Sequence, residues 1–298
     1  MKRLILLPMT VTITALIVTV FSYSIAEGKD SKSIKPRVIY GTDDRLDIYQ
    51  VTEAKSLQLA SSTVALIRSD DLTVKNSDTF TISTSSYAST YNLCQEEPFY
   101  DQRTAAFCSG FLVAPDIIVT AGHCVTSEQS CKNTSFVFDF AVKSRGENPS
   151  EARKDDVYNC QRLIATKAVS NGADYAVIKL DRAVTNRQPL EIRRTGQSAV
   201  GDALTVIGHP AGLPTKVSGG AKVRSLKSGF LVANLDTYGG NSGSAVFNDR
   251  TGEVEGILVR GEVDYTYKGN CMVSNVCTEG GCRGEDVTYI SEVLQFLQ

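Results

Sequence analysis

The feature that most constrains this chain is a turn of small residues at positions 239–243, Gly-Gly-Asn-Ser-Gly, which runs directly into an apolar segment. Glycine tolerates backbone angles that other residues avoid, and it leaves space beside the serine for an incoming group. Ser242 is therefore a candidate nucleophile, with the N–H groups of Gly240 and Ser242 as candidate donors to an oxyanion. Ser244 is the rival nucleophile, but the glycine after the serine favours Ser242. A serine hydroxyl needs a neighbouring base, so the rest of the chain must supply one.

The chain contains only two histidines, His123 and His209. His123 follows the apolar run at residues 117–119, where a strand is expected to end in a turn. His209 lies between a glycine and a proline, which is typical of a structural loop residue. The base also needs a buried carboxylate that orients its ring, and Asp174 fits because it directly precedes a strand-like apolar run. Asp181 is the rival carboxylate, but it follows that strand and its neighbour Arg182 indicates a surface turn.

Three motifs follow one another along the chain: Thr-Ala-Gly-His-Cys at 120–124, Asp-Tyr-Ala-Val-Ile-Lys-Leu at 174–180 and Gly-Asn-Ser-Gly-Ser at 240–244. Their order, His, Asp, Ser, resembles the chymotrypsin-like (trypsin-fold) serine proteases and differs from the orders of subtilisins and α/β-hydrolases. The similarity covers residues 38–298. Asn-Ser-Gly-Ser in place of Asp-Ser-Gly-Gly is similar to the bacterial glutamyl endopeptidase branch.

This resemblance implies an all-β fold of two six-stranded antiparallel β-barrels with a C-terminal helix. The first barrel is expected over about 50–185 and the second over about 190–290, and apolar residues at helical spacing place the helix over residues 291–298. Residues 60–67 fit either a strand or a short helix. The resemblance also implies catalytic roles for His123, Asp174 and Ser242, an oxyanion hole at Gly240 and Ser242, and no metal or organic cofactor.

The residues that would select the substrate side chain before the cleaved bond match the resemblance only in part. Asp236 occupies the position that gives trypsin its preference for basic residues, yet the following sequence is also similar to glutamate-specific relatives. In those relatives the residue matching Thr237 helps to bind the substrate carboxylate, and the histidine that they add matches Leu258 here. Asp236, Thr237 and Leu258 are therefore candidate substrate-binding residues. Arg260, with Gly261 beside it in the same hairpin, is the candidate to supply the missing positive charge. The alternative for Arg260 is a solvated strand residue.

The first residues carry a charged start, an apolar run and small residues before position 27, so we expect a signal peptide at 1–26. A membrane anchor is the alternative, since the run is nearly long enough to span a bilayer. Residues 27–37 read as a propeptide, and cleavage after Arg37 would free Val38, as the resemblance implies for a zymogen. Trypsin-type zymogens then pair the new ammonium with an aspartate before the nucleophile, but this chain has the neutral Asn241 there.

Eight cysteines, an even number, accompany the expected signal peptide, so we predict disulfides and a secreted protein, extracellular or periplasmic. The resemblance implies a bridge between Cys108 and Cys124. Proximity in the sequence suggests a second bridge, Cys131 with Cys160. The remaining cysteines are three clustered near the C-terminus, of which at least one must pair elsewhere, and Cys94. Their spacing does not favour a zinc site.

The composition of 42% hydrophobic and 21% charged residues with a net charge of −2 indicates a folded chain and argues against nucleic acid as a partner. Protein or peptide substrates are expected, with no stable membrane anchor after signal cleavage. No pattern in the sequence predicts whether the protein forms oligomers. The leading interpretation is a serine endopeptidase that works through an acyl-enzyme. The alternatives are an esterase with the same chemistry and a secreted binding protein on a protease fold that cuts nothing.

Overall fold

The computed structural model describes residues 38–297. The expected signal peptide at 1–26 and propeptide at 27–37 lie outside the described residues. Within residues 38–297, no helix is both long enough and apolar enough to cross a membrane. Most of the regular secondary structure in these residues consists of antiparallel strands.

Residues 38–180 contribute thirteen strands and three short α-helices. The strands are β1 Ile39–Tyr40, β2 Arg45–Asp47, β3 Thr63–Arg68, β4 Leu72–Val74, β5 Thr79–Ile82, β6 Ser85–Ser86, β7 Arg103–Thr104, β8 Cys108–Ala114, β9 Ile117–Thr120, β10 Thr134–Phe138, β11 Glu151–Arg153, β12 Val157–Ala168 and β13 Asp174–Leu180. The helices are α1 Ala54–Ser61, α2 Tyr87–Tyr91 and α3 Glu128–Lys132, with 3-10 turns at Ile48–Gln50, Ser69–Asp71 and Lys154–Asp156. The ambiguous segment 60–67 is thus both: α1 ends at Ser61 and β3 begins at Thr63.

Residues 181–297 contribute nine strands and two 3-10 helices. The strands are β14 Ala203–Gly208, β15 Lys216–Leu226, β16 Phe230–Ala233, β17 Ala245–Asn248, β18 Val254–Arg260, β19 Tyr265–Lys268, β20 Cys271–Ser274, β21 Val276–Cys277 and β22 Glu285–Tyr289. The 3-10 helices are Pro210–Gly212 and Ile290–Phe296. The second of these takes the place of the expected C-terminal helix, with the tighter 3-10 winding.

Two closed barrels organise these strands, as predicted. The first has the strand order β10-β12-β13-β9-β8-β3. The second has the order β14-β17-β18-β22-β16-β15 and closes through pairing of β14 with β15, while β2 adds a further strand on β15. Every strand pair in the two barrels is antiparallel.

The barrels share a hydrophobic core, and β13 shows how its sequence produces this. Successive side chains of a strand point to opposite faces. Ala176 and Ile178 pack inside the first barrel, whereas Tyr175 and Val177 pack in the cluster that includes Phe247 from the second barrel. A strand buried on both faces must be apolar throughout, which explains the unbroken run after Asp174.

Four disulfides join the eight cysteines. Cys108 pairs with Cys124, as the resemblance implied, and Cys131 pairs with Cys160, as their proximity suggested. Of the C-terminal cluster, Cys271 reaches back to Cys94, while Cys277 and Cys282 pair locally. The long-range bridge attaches the segment between α2 and β7 to the β19–β20 hairpin.

A buried ion pair fixes the added strand β2 to the second barrel. Lys216 Nζ lies 2.7 Å from Asp47 Oδ1, and both side chains are almost fully buried. Gln102 completes the group by accepting from Lys216 Nζ and donating to Asp47 Oδ2. Burial lowers the pKa of Lys216 to about 8. Desolvation opposes this charge, so its partner is essential.

We expect Asp47→Asn to lower the free energy of unfolding by about 3–5 kcal/mol, because it leaves the Lys216 ammonium buried without its counter-ion. Urea unfolding at pH 7, followed by far-UV circular dichroism since the chain has no tryptophan, measures this. The matched control is Lys75→Met, which breaks the exposed Lys75–Glu151 pair and should cost at most about 1 kcal/mol. Equal effects of the two substitutions would contradict the structural role of the buried pair.

Candidate active site

His123 is placed by a tight turn at the end of β9. The residue before it, Gly122, lies against the first barrel, and a Cβ there would fall 2.0 Å from the carbonyl oxygen of Lys167. Only glycine allows this approach. The Cys108–Cys124 disulfide holds the other side of the histidine, so the turn is fixed at both neighbours.

The three residues predicted to act together lie in one hydrogen-bonded line. His123 Nδ1 is 2.8 Å from Asp174 Oδ2, and His123 Nε2 is 2.7 Å from Ser242 Oγ. The backbone N–H of His123 also donates to Asp174 Oδ1. With Nδ1 protonated toward the carboxylate, Nε2 is left to accept the serine proton.

Ser242 reaches the first barrel because Gly243 has no side chain. Gly243 has φ +91°, and a Cβ there would lie 2.0 Å from Ser109 O and 2.1 Å from Thr120 Oγ1. The N–H of Ser109 donates to Ser242 O at 2.8 Å. The turn of the second barrel is therefore in direct backbone contact with β8 of the first, which brings the serine to the histidine.

Gly240, the other predicted oxyanion donor, also lies in a left-handed conformation, with φ +94°. A Cβ on it would fall 2.6 Å from His209 O and 2.7 Å from Gly212 N. The N–H of Asn241 donates to Tyr238 O and closes the turn. The Asn241 side chain accepts from Ser244 Oγ, which is fully buried.

Asp174 is almost fully buried and is held by groups from the second barrel. Its backbone N–H donates to Thr288 Oγ1, a long-range contact that no local sequence pattern predicts. Arg260 Nη1 lies 3.6 Å from Asp174 Oδ2. Arg260 also pairs with Asp286 and donates to the carbonyl oxygens of Val169 and Gly172.

The expectation that Arg260 supplies a positive charge to an acidic substrate is therefore corrected. Its guanidinium is buried and is directed at Asp174, on the support side of the histidine. The alternative, that Arg260 is a solvated strand residue, is also excluded, because only 7% of Arg260 is exposed.

The Asp236 carboxylate is engaged with the N-terminal segment. It accepts from the backbone N–H groups of Tyr40 and Asp44, at 2.7 and 3.0 Å. Burial raises the pKa of Asp236 to about 7. The expectation that it contributes directly to substrate binding is replaced by a structural role, since both oxygens hold backbone N–H groups and the charge is only partial at neutral pH.

Thr237 and Gly261 meet at a carboxylate that sequence reasoning missed. Thr237 Oγ1 donates to Glu285 Oε2 at 3.0 Å. Any side chain on Gly261 would collide with the same carboxylate, which would lie 1.6 Å from its Cβ. Glu285 is fully buried at the start of β22. Nothing in the residues around Glu285 distinguished it from a surface glutamate.

Leu258 is corrected as a substrate-binding residue. It is fully buried in the core of the second barrel beside Val246 and Val287. Its backbone accepts from Gly243 N–H and donates to Ser244 O. It therefore supports the turn at residues 239–243, which carries the candidate nucleophile Ser242 and is called the nucleophile turn below, without presenting its side chain to a ligand.

The rival residues have other partners. Asp181 accepts from the side chain of Asn159 at the surface. His209 is buried, and its Nδ1 donates to Leu213 O. Among residues 38–297, one cluster has metal-ligand geometry, formed by Cys108, His123 and Cys124. Two of its three atoms are joined in a disulfide, so this cluster is not a metal site.

Comparisons with known proteins find a family and several relatives for this chain. Residues 108–257 match the family described as the trypsin-like peptidase domain. The chain is 30% identical over 149 residues to the glutamyl endopeptidase of Bacillus licheniformis, covering 47% of this chain and 45% of that protein. It is 37% identical over 76 residues to human chymotrypsin-like elastase family member 3B, covering 26% of this chain and 28% of that protein.

The chain thus spans less than half the length of these curated relatives. Among solved structures, a Glu endopeptidase in complex with MPD has a TM-score of 0.50 and 19% sequence identity, covering 87% of this chain and 99% of that chain. At this identity the likeness concerns the fold.

Because the imidazole of His209 is buried, the free energy of unfolding is expected to depend on pH through this residue. Burial, together with the charge of Lys216, lowers the pKa of His209 to about 3. The unfolded chain binds a proton at this residue below about pH 6.5, whereas the folded chain does so only near 3. The contribution of His209 to stability is thus constant above pH 6.5 and declines as the pH falls from there toward 3. This contribution is expected to fall by about 2 kcal/mol between pH 7 and pH 5.

Urea unfolding at several pH values checks this against His209→Asn, whose amide can still donate to Leu213 O. The variant should be less stable at pH 7 but should lack this part of the pH dependence. Parallel curves for the two proteins between pH 7 and pH 5 would contradict the assignment.

Proposed function

Since this chain belongs to the trypsin-like peptidase family, we propose that it is a secreted serine endopeptidase with His123, Asp174 and Ser242 as its catalytic triad. The observation that carries the proposal is the line of contacts of 2.8 and 2.7 Å that joins these three side chains. They come from three distant parts of the chain, and each is held by close backbone packing.

In the proposed reaction, Ser242 Oγ attacks the carbonyl carbon of the scissile bond while His123 Nε2 takes its proton. Asp174 accepts from Nδ1–H and stabilises the imidazolium that forms. His123 then gives the proton to the leaving amine, and an acyl-enzyme remains. Water, activated by the same histidine, hydrolyses the acyl-enzyme. The N–H groups of Gly240 and Ser242 receive the negative charge on the carbonyl oxygen. These steps require no metal or organic cofactor.

The preference for the residue before the cleaved bond is not transferred from the relatives named glutamyl endopeptidases. Thr237 is fully buried and its hydroxyl already donates to Glu285 Oε2, while Arg260 pairs with Asp286. An acidic substrate side chain would therefore find neither of these groups available to bind it. We propose a neutral or basic residue at this position of the substrate.

Secretion and processing remain part of the proposal. Four disulfides support an oxidising compartment. Cleavage after Arg37 would make Val38 the first residue, and the contact of its carbonyl with Thr237 N–H supports a domain that begins there. Peptides or proteins are the proposed substrates, with neither nucleic acid nor a stable membrane anchor involved.

We expect Ser242→Ala to lower kcat by about 10⁶-fold, because the nucleophile and its proton transfer are lost together. Hydrolysis of a peptide library and labelling by a fluorophosphonate measure this. Ser61→Ala, at an exposed serine of α1, is the matched control and should behave as wild type. Labelling of Ser242→Ala at the wild-type rate would rule out Ser242 as the nucleophile.

The same assay separates the alternatives. A secreted binding protein without catalysis would leave wild-type Ser242 unlabelled. An esterase would be labelled and would cleave activated esters, but it would leave every peptide of the library intact.

Arg260→Met should lower kcat by about 10- to 100-fold for all peptides alike, because the support of Asp174 is lost and the histidine is misplaced. The relative rates among library peptides should not change. Arg194→Met, at an exposed arginine, is the matched control. A loss confined to peptides with an acidic residue before the cleaved bond would restore Arg260 to a role in specificity.

A further inference from the structure

We propose that Asp264 is a positioning residue that holds the oxyanion site in its working orientation. This inference rests on the proposed function, since it concerns the N–H of Gly240. Asp264 lies in the loop between β18 and β19, is buried, and belongs to none of the three motifs that identify the triad.

Each of the two peptide units that meet at Gly239 is held by its own hydrogen bond. In the unit before Gly239, Asp264 Oδ2 accepts from the N–H of Gly239 at 2.9 Å. In the unit before Gly240, the N–H of Ala211 donates to the carbonyl oxygen of Gly239 at 2.5 Å. Residue 239 is a glycine, so without these contacts its backbone would be free to rotate.

The orientation of this carbonyl determines the orientation of the next N–H. In a trans peptide the C=O and the following N–H point in opposite directions, and the described residues contain no cis peptide. With Gly239 O directed at Ala211, the N–H of Gly240 points away from that turn. A half-turn of this one peptide would put a carbonyl oxygen where the oxyanion needs a donor, and would turn attraction into repulsion.

The turn that holds Gly239 O is itself rigid. Ala211 adopts φ +53°, a left-handed conformation that costs energy for a residue with a side chain. The N–H of His209 donates to Ser109 Oγ, which in turn donates to the carbonyl oxygen of Gly240. The next carbonyl of the nucleophile turn is therefore also fixed, by the first barrel.

The segment that carries Asp264 is itself attached to the N-terminal strand β1 through Asn275. The N–H of Asn275 donates to the backbone carbonyl of Asp264, and its side-chain amide donates to Val263 O. The carbonyl of Asn275 accepts from the N–H of Ile39 in β1. Pairing of β1 beside β21 thus holds the segment that presents the Asp264 carboxylate to Gly239.

A carboxylate is well suited to hold a backbone N–H, because the charge strengthens the hydrogen bond. Its negative charge does not itself favour an oxyanion nearby. The position of Gly239 therefore depends on the acceptor oxygen, which an asparagine also has, and not on the negative charge. A variant that keeps the oxygen but removes the charge distinguishes positioning from a general electrostatic effect.

The experiment compares Asp264→Ala, Asp264→Asn and wild type, each normalised by active-site titration with a fluorophosphonate. We expect Asp264→Ala to lower kcat by about 10- to 100-fold, up to the loss that follows removal of one oxyanion donor, with KM changed by less than about threefold. Its affinity for a peptide boronate, whose adduct presents an oxygen to the oxyanion site, should fall in proportion to kcat. Asp264→Asn should stay within about threefold of wild type in kcat.

Asp249→Ala is the matched control, since Asp249 is exposed and accepts from Thr205 far along the second barrel. It should leave kcat, KM and boronate affinity unchanged. A wild-type kcat per titrated site in Asp264→Ala would overturn the inference, whatever its melting temperature. If Asp264→Ala does not fold, Asp264→Asn decides: a loss of about 100-fold overturns the proposal. Failure of wild type itself to react with the fluorophosphonate would instead overturn the proposed function.

Discussion

The close backbone contact between the two barrels is the constraint on which the rest of the site depends. At Gly243 the second barrel approaches Ser109 and Thr120 so closely that a single Cβ would not fit. This contact determines how far Ser242 lies from His123, because each is attached to its own barrel by rigid strands. A hydrogen bond of 2.7 Å between two separately built halves needs this kind of positional precision.

Buried charged side chains at the same interface also restrict how the two barrels can be oriented. Arg260 and Asp286 come from the second barrel and lie against Asp174 and the loop before it from the first. Burying these ions is costly, so such a group contributes little net stability, but it penalises any arrangement in which the ions separate. The ion group and the hydrogen bond of Asp174 N–H to Thr288 therefore specify how the barrels sit at the triad.

The sequence predicted that His123, Asp174 and Ser242 lie together, but it did not predict what surrounds them, for a physical reason. His123, Asp174 and Ser242 lie at strand ends and glycine turns, whose geometry is encoded by adjacent residues. The direction of the side chains in β18, by contrast, is not determined by the adjacent residues. Simple alternation would put Leu258 and Arg260 on the same face, but the pairing of β18 with β22 shifts register between them. This irregularity re-aims Arg260 toward Asp174 while Leu258 stays in the core, and no local pattern marks it.

Asn241 shows how the turn is organised without the ion pair of trypsin-type zymogens. Its side chain is used within the turn, where it accepts from Ser244. The N-terminal segment reaches the turn through neutral backbone groups instead: Tyr40 and Asp44 N–H on Asp236, Val38 O on Thr237 N–H, and Ile39 N–H on Asn275. Several directional hydrogen bonds replace one ammonium–carboxylate contact. The order of the nucleophile turn then depends on the register of the whole segment, because a shift by one residue would break all of these bonds together.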